Sequence, residues 1–182
     1  MNLRLVLSRL YLPSAIRKRK LADLLRLTAR AFDAAPPSVE GLSLDRMLRL
    51  YAEYSREMAD RALGRPEGLG AIERRLFDEA SRMGREIRRE LGVRTPSEAM
   101  TAARVLYRSL KIDFRGGPGG DVVIRKCSFS RFYTPGACRL MSSLDAGVLS
   151  GLAGGGGLEF VERITEGSGC CRARFSFPEA GG

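Results

Sequence analysis

The fold is decided by residues 125–177, RKCSFSRFYTPGACRLMSSLDAGVLSGLAGGGGLEFVERITEGSGCCRARFSF. Thr134-Pro135 reads as a capped helix start, after which Cys138, Met141, Asp145, Val148 and Leu152 recur at helical spacing on one face. Glycines 154–157 break that helix; with no lysine or capped helix after them they read as a turn rather than a phosphate cradle. Leu158, Phe160, Glu162 and Ile164 then alternate along one strand, EGSG at 166–169 turns the chain, and Cys171, Ala173, Phe175 and Phe177 alternate along the next. Upstream, residues 111–115, the GGPGG turn at 116–120 and residues 121–129 read as a hairpin. Residues 111–182 are thus predicted to form a hairpin-helix-hairpin unit, an antiparallel sheet with one helix packed on it.

Working outward, residues 1–110 carry helical periodicity. An amphipathic segment is expected over 2–10. A helix from residue 13 or 14 to 32 places Leu21, Leu24, Leu25, Thr28 and Phe32 on one face. Ser43 caps a second helix, with Gly64 and Pro66 as its stop signals. A third carries the stripe Ile72, Leu76, Ala80, Met83, Ile87 and Leu91 before Gly92. Thr95-Pro96-Ser97-Glu98 is a capping box that opens a fourth helix, running to about Leu110. The tyrosines and methionines of these helices read as core.

The 182 residues suit one compact α+β domain, a helical half (1–110) packed with the cysteine-containing half (111–182). No run approaches the roughly 18 apolar residues that span a bilayer. The early stretch LRLVLSRLYLP is interrupted by Arg4 and Arg9 and lacks a cleavage site, so a cytoplasmic location is expected. Four cysteines there read as thiols or ligands rather than as a disulfide framework. The formal charge of +10 lies in the helical half, where residues 1–111 hold 23 Lys and Arg against 14 Asp and Glu, while residues 112–182 hold 8 against 7. Only RKRK at 17–20 is dense; elsewhere acids and bases interleave as solvated helix faces, and no nucleic-acid-binding motif is present. The partner expected is a small molecule rather than nucleic acid.

The chain has no histidine and no tryptophan, so any chemistry must use thiols, carboxylates and arginines. The cysteines are Cys127, Cys138, Cys170 and Cys171. Two carboxylates, Asp145 and Glu162, break the apolar pattern around them. Asp145 follows Cys138 by nearly two helical turns, so the two point within about 20° of one another. Glu162 falls in the apolar register of its strand, on the face of Cys171. A buried carboxylate costs several kcal/mol unless paired, protonated or metal-bound; Arg125 or Arg163 is the candidate partner of Asp145. Cys170 points to the opposite strand face from Cys171 and is the weaker candidate. Each cysteine also reads as a small core hydrophobe.

CSFSRFYTPGAC, then SSLDAG, then LEFVERITEGSGCCRARF resembles the L-2-amino-thiazoline-4-carboxylic acid hydrolase family, with Cys127, Cys138, Asp145, Thr165, Gly167 and Cys171 at the matching places. The resemblance is close over about 55 residues; Ala173 stands where that family often has phenylalanine. The same layout is similar to vinyl-reductase-type small-molecule-binding domains of bacterial sensors, some of which bind zinc through cysteines and a glutamate. The first resemblance implies a small hydrolase that opens a C–S or C–N bond of a cyclic amidine. A thiolate would attack the amidine carbon, Asp145 or Glu162 would hold the amidinium and move protons, and Arg163 or Arg125 would bind the carboxylate. The second implies a non-catalytic ligand-binding domain. The same atoms also form a zinc set, Cys127, Cys138, Glu162 and Cys171, although Cys-x10-Cys-x32-Cys is not a zinc-finger spacing. The nucleophile and ligand roles of these cysteines are alternatives.

Overall fold

The computed structural model describes Leu5 and residues 13–178 except Pro66. The segment expected over 2–10 lies, apart from Leu5, outside the described residues, as does the Pro66 stop signal. Four helices come first: α1 Ser14–Ala31, α2 Leu44–Leu63, α3 Leu69–Leu91 and α4 Pro96–Ser109. Their boundaries follow local chemistry. Ser43 accepts from the Arg46 N–H at 3.3 Å, and Gly92 closes α3 with φ 65°. At α4, Thr95 accepts from the Glu98 N–H while Glu98 accepts from the Thr95 N–H, both at 3.2 Å. Such caps are each worth about 1 kcal/mol.

The second half runs β1 Phe114–Gly116, β2 Asp121–Ile124, α5 Pro135–Ala153, β3 Gly157–Glu162, a 3-10 turn Ile164–Glu166 and β4 Cys171–Ser176. The four strands form one antiparallel sheet in the order β1-β2-β4-β3. The fold is therefore α+β, a helical first half followed by a hairpin-helix-hairpin unit. The strands are shorter than the sequence pattern suggests: β1 begins at Phe114 and β2 ends at Ile124, so Cys127 lies in the loop before α5. Among the described residues no helix is long and apolar enough to cross a membrane.

The register of β3 differs from strict alternation. Phe160 pairs with Ala173 but Glu162 pairs with Arg172, so Val161 is an extra, bulged residue, 68% exposed. The bulge moves Glu162 to the solvent face, where it meets Arg172 at 3.5 Å. The expectation that Glu162 faces inward beside Cys171 is thereby corrected. After the bulge the chain does not continue as a strand into EGSG but coils into the 3-10 turn, and that turn carries Thr165.

Both halves share one hydrophobic core, to which Leu21, Leu76, Val122, Leu140, Leu152 and Phe175 contribute fully buried side chains. Helix α5 is central: Leu140, Met141, Leu144, Val148, Leu149 and Leu152 are all buried, as a helix apolar on most of its circumference must be. It crosses α3 at backbone distance. A Cβ at Gly147 would collide with the Phe77 carbonyl, and one at Gly151 would lie 2.8 Å from the Gly84 Cα. One at Gly84 would lie 2.5 Å from the Val148 carbonyl. Overpacking of this kind costs about 1–3 kcal/mol or more. Gly147→Ala should lower stability by at least that much in urea denaturation, whereas Gly70→Ala, in α3 with open space around it, should raise it by about 0.5 kcal/mol.

Candidate functional site: a thiol and carboxylate cavity

Between α5, the sheet, Tyr51 of α2 and the C-terminal end of α4 lies a cavity of about 100 Å³. Its wall is mostly apolar, with the polar groups of Tyr107, Cys127, Cys138, Asp145, Arg163 and Thr165 set into it. The Thr134 hydroxyl fixes the start of α5 by accepting from the Ala137 N–H at 3.1 Å and donating to Asp60 of α2 at 3.2 Å. Cys138, Met141, Asp145 and Val148 then line the cavity from one face of α5.

Asp145 is the central group. The Tyr107 hydroxyl donates to its Oδ1 at 2.6 Å, and among the described residues no donor bonds Oδ2. Asp145 keeps some accessible surface only because it lines the cavity; protein otherwise surrounds it. Burial pushes its carboxyl up from 3.8 to about 6, although the Tyr107 bond and the positive charge of Arg163 pull it down. Burial and the Asp145 charge hold Tyr107 well above the usual phenol range, so it remains a donor. Tyr107 also stacks on Phe114 with ring centroids 4.7 Å apart, which fixes the direction of its hydroxyl.

Arg163 is a positioned cation. It donates to the Ser142 hydroxyl at 2.7 Å, lies 4.2 Å from the centre of the Phe160 ring and is 3.6 Å from Glu166. Ser142 in turn donates to the Cys138 carbonyl at 2.7 Å. The Thr165 hydroxyl is buried and makes no full hydrogen bond; its polar neighbour is the Cys138 thiol, whose ionised form it would stabilise.

All three inward thiols are held in the protonated form. Burial pushes Cys127 up to about 12, against the backbone N–H groups of Phe129 and Ser130. Burial likewise raises Cys138, offset by Thr165 and Arg163, and Cys171, offset by the Ile164 N–H that donates to its sulfur at 3.4 Å. All four cysteines are free thiols.

The cavity therefore brings together Cys127, Cys138, Cys171, Asp145 and Arg163, and leaves out two expected members. Glu162 is on the solvent face, as described above. Arg125 is exposed just beyond β2, its N–H bonded to the Asp113 carbonyl, because Val122 and Ile124 take the inward face and alternation turns the next side chain to solvent. Cys170 does not line the cavity. The zinc set is not assembled: Glu162 faces away, and among the described residues no three His, Cys, Asp or Glu side chains gather closely enough to hold a metal ion. Of the RKRK cluster, Lys20 reaches the cavity edge and pairs with Glu90 at 3.1 Å.

Sequence reasoning missed Tyr107, Tyr133 and Ser142. Tyr107 occupies an apolar position of α4, and only its hydroxyl, directed at a carboxylate on another helix, separates it from an ordinary core aromatic. Compared with protein families, with curated proteins and with solved structures, the chain matches none.

The Asp145 ionisation has a stability consequence. Its carboxyl binds a proton more tightly in the folded than in the unfolded chain, so stability is highest below about pH 4 for this group and falls as pH rises through about 6. Asp145→Asn, which keeps an acceptor for Tyr107, should match the wild type near pH 4 and exceed it by about 2 kcal/mol at pH 7.5. Paired melts across that pH range measure the difference; a constant difference would show that the Asp145 carboxyl binds its proton equally tightly in the folded and the unfolded chain.

Proposed function

We propose that this chain binds a compact small molecule in the Asp145 cavity, a single small ring or short apolar chain carrying a protonated nitrogen. The observation that carries the reading is the Oδ2 of the half-buried Asp145 carboxylate, without a donor among the described residues and facing a mostly apolar cavity. Above pH 6 Asp145 is charged with only one neutral donor on it, and a ligand cation supplies what the protein withholds. The size of the cavity supports a small occupant. At about 100 Å³ it is smaller than the roughly 150 Å³ apolar cavity that takes up benzene, so a larger substituent would project toward Arg163, whose guanidinium suits a carboxylate. This is the reading that the likeness to vinyl-reductase-type binding domains implies, without the zinc.

A second reading, the aminothiazoline-type hydrolase, is favoured by the surroundings of Cys138. Arg163 and Thr165 both act to lower its thiol, against burial. In the free protein burial wins, so attack requires the substrate's own positive charge to tip the balance. Cys138 sulfur would add to the amidinium carbon as its proton passes through Asp145 to the departing ring sulfur. Water would then displace Cys138, leaving a urea and a free thiol on the product.

Calorimetric titration with 2-aminothiazoline and with uncharged thiazole at pH 7.5 tests the first reading. The cation should bind at least tenfold more tightly, and Asp145→Asn should abolish that preference; equal affinity of the two probes, or no binding of either, would remove the assignment. Release of free thiol from 2-aminothiazoline-4-carboxylate tests the second. Turnover there should fall at least about a hundredfold in Cys138→Ala, and binding without thiol release would leave the binding reading alone.

A further inference from the structure

A second concavity of about 600 Å³ lies where the C-terminal end of α4 meets the β1-β2 hairpin, and its rim is basic. Arg104 and Arg108, four residues apart on α4, share a helix face. Lys111 follows the helix, Arg115 comes from β1, and Lys126 lies across the hairpin from Asp113, whose N–H it binds through its carbonyl at 2.8 Å. All five side chains are exposed. Asp113 is the one carboxylate in the lining, 3.6 Å from Arg115, and Lys111 reaches Asp45 of α2 at 2.9 Å.

Three cations of α2 are neutralised on their own helix, and two in this cleft have no such partner. On α2, Arg49, Arg56 and Arg61 each meet a carboxylate on their own helix, Glu53, Asp60 and Glu57. In the cleft, Arg104 and Lys126 have no carboxylate partner among the described residues. The C-terminal end of α4 contributes roughly half a negative charge. Arg115 and Lys111 are met by Asp113 and Asp45, and against Arg104 and Lys126 that half charge still leaves a positive excess, which repels itself and lowers stability. Lys111 sharpens the point: its φ of 58° is left-handed, where glycine would be free of strain and is the common residue after a helix, yet the chain places a cation there.

We propose that this cleft binds a compact anion of the oligophosphate class. Guanidinium forks on two elements and ammonium groups on two others surround one concave space, the arrangement that grips several phosphate oxygens at once. The aromatic in the lining, Phe114, is 2% exposed and stacks on Tyr107, so the cleft offers no ring for a nucleobase. That favours a small polyanion over a nucleic-acid strand. The site is distinct from the Asp145 cavity, and the two abut at Ile112, which lines both.

Calorimetric titration of the full chain with inorganic pyrophosphate at low and at physiological ionic strength tests the proposal. Saturable one-to-one binding that weakens with salt is expected. Arg104→Glu and Lys126→Glu should each weaken it at least about tenfold, while Arg89→Glu, the same charge change on an exposed position of α3 outside this lining, should leave it within about twofold. The two cleft variants sit on different elements at exposed positions, and unchanged melting temperatures establish that they fold. Absence of pyrophosphate binding at low salt, or an equal loss in Arg89→Glu, would overturn the site. A single-stranded oligonucleotide that binds more tightly than pyrophosphate and loses affinity in the same two variants would overturn the compact-anion assignment.

Discussion

The near-contact of α3 and α5 backbones at Gly84, Gly147 and Gly151 is the constraint on which the rest depends. Close approach brings many weak dispersion contacts to optimal distance, and it places α5 in the middle of the molecule rather than on a face of it. Beyond Arg139, near its start, none of its residues is exposed, so the rest of the helix has no solvent side on which to put polar residues. Its serines therefore satisfy themselves internally, as Ser142 does against the Cys138 carbonyl. Asp145 cannot do the same, because a carboxylate has no proton to give to a carbonyl at neutral pH. It needs donors from another element, and α4 supplies one through Tyr107. The partly satisfied carboxylate follows from the helix packing, and so does the cavity beside it.

Around that carboxylate the charges are fixed rather than fluid. Arg163 is held by the Ser142 hydroxyl, the face of Phe160 and the Glu166 carboxylate, so its position does not depend on a ligand. A cation fixed in this way gives a preorganised field at low reorganisation cost, the property that makes protein sites electrostatically effective. It lowers both Asp145 and Cys138. Burial acts on both in the opposite sense and prevails, with different results. At neutral pH the carboxylate still ionises, whereas the thiol, starting from a higher value, does not. The free cavity thus presents an anion, a fixed cation and neutral thiols.

The elements legible in the sequence are those whose signals are local. The Thr95 capping box, the Thr134-Pro135 start of α5 and the shared face of Cys138 and Asp145 each depend on residues within two helical turns of one another. What could not be read depends on residues distant in the chain. Glu162 sits in a correct apolar alternation that one bulged residue, Val161, reverses, and nothing within β3 distinguishes a bulge from a continued strand. Arg125 faces solvent because Val122 and Ile124 take the inward face of β2, and which face of that strand is inward is set by the helices packed on the sheet. Gly147 and Gly151 read as weak helix formers until the backbone of α3 is placed against them. Tyr107 reads as core, and it is core; its function lies in the direction of one oxygen atom.

Several of the places where this chain departs from local consistency lie together, although the buried Nε of Arg17 on α1 lies elsewhere. Most of its buried polar groups are bonded, and α2, α4 and α5 are capped at their starts by Ser43, Thr95 and Thr134, as a sequence specifying a single structure requires. The exceptions in the second half gather at one space: a carboxylate with one donor, a threonine hydroxyl with no full bond, and an arginine recruited from just beyond a bulge. The carboxylate and the threonine hydroxyl each lower the stability of the empty protein, and each could be relieved by an ordinary substitution, Asp145→Asn or Thr165→Val. A defect of packing would relax into the nearest free volume. These groups instead face a volume that the surrounding helices and sheet keep open, so their unmet bonds are available to a molecule that enters it. The energy withheld from folding at this point is differential binding energy for a ligand that completes the bonds, since whatever binds the folded chain alone adds to its stability.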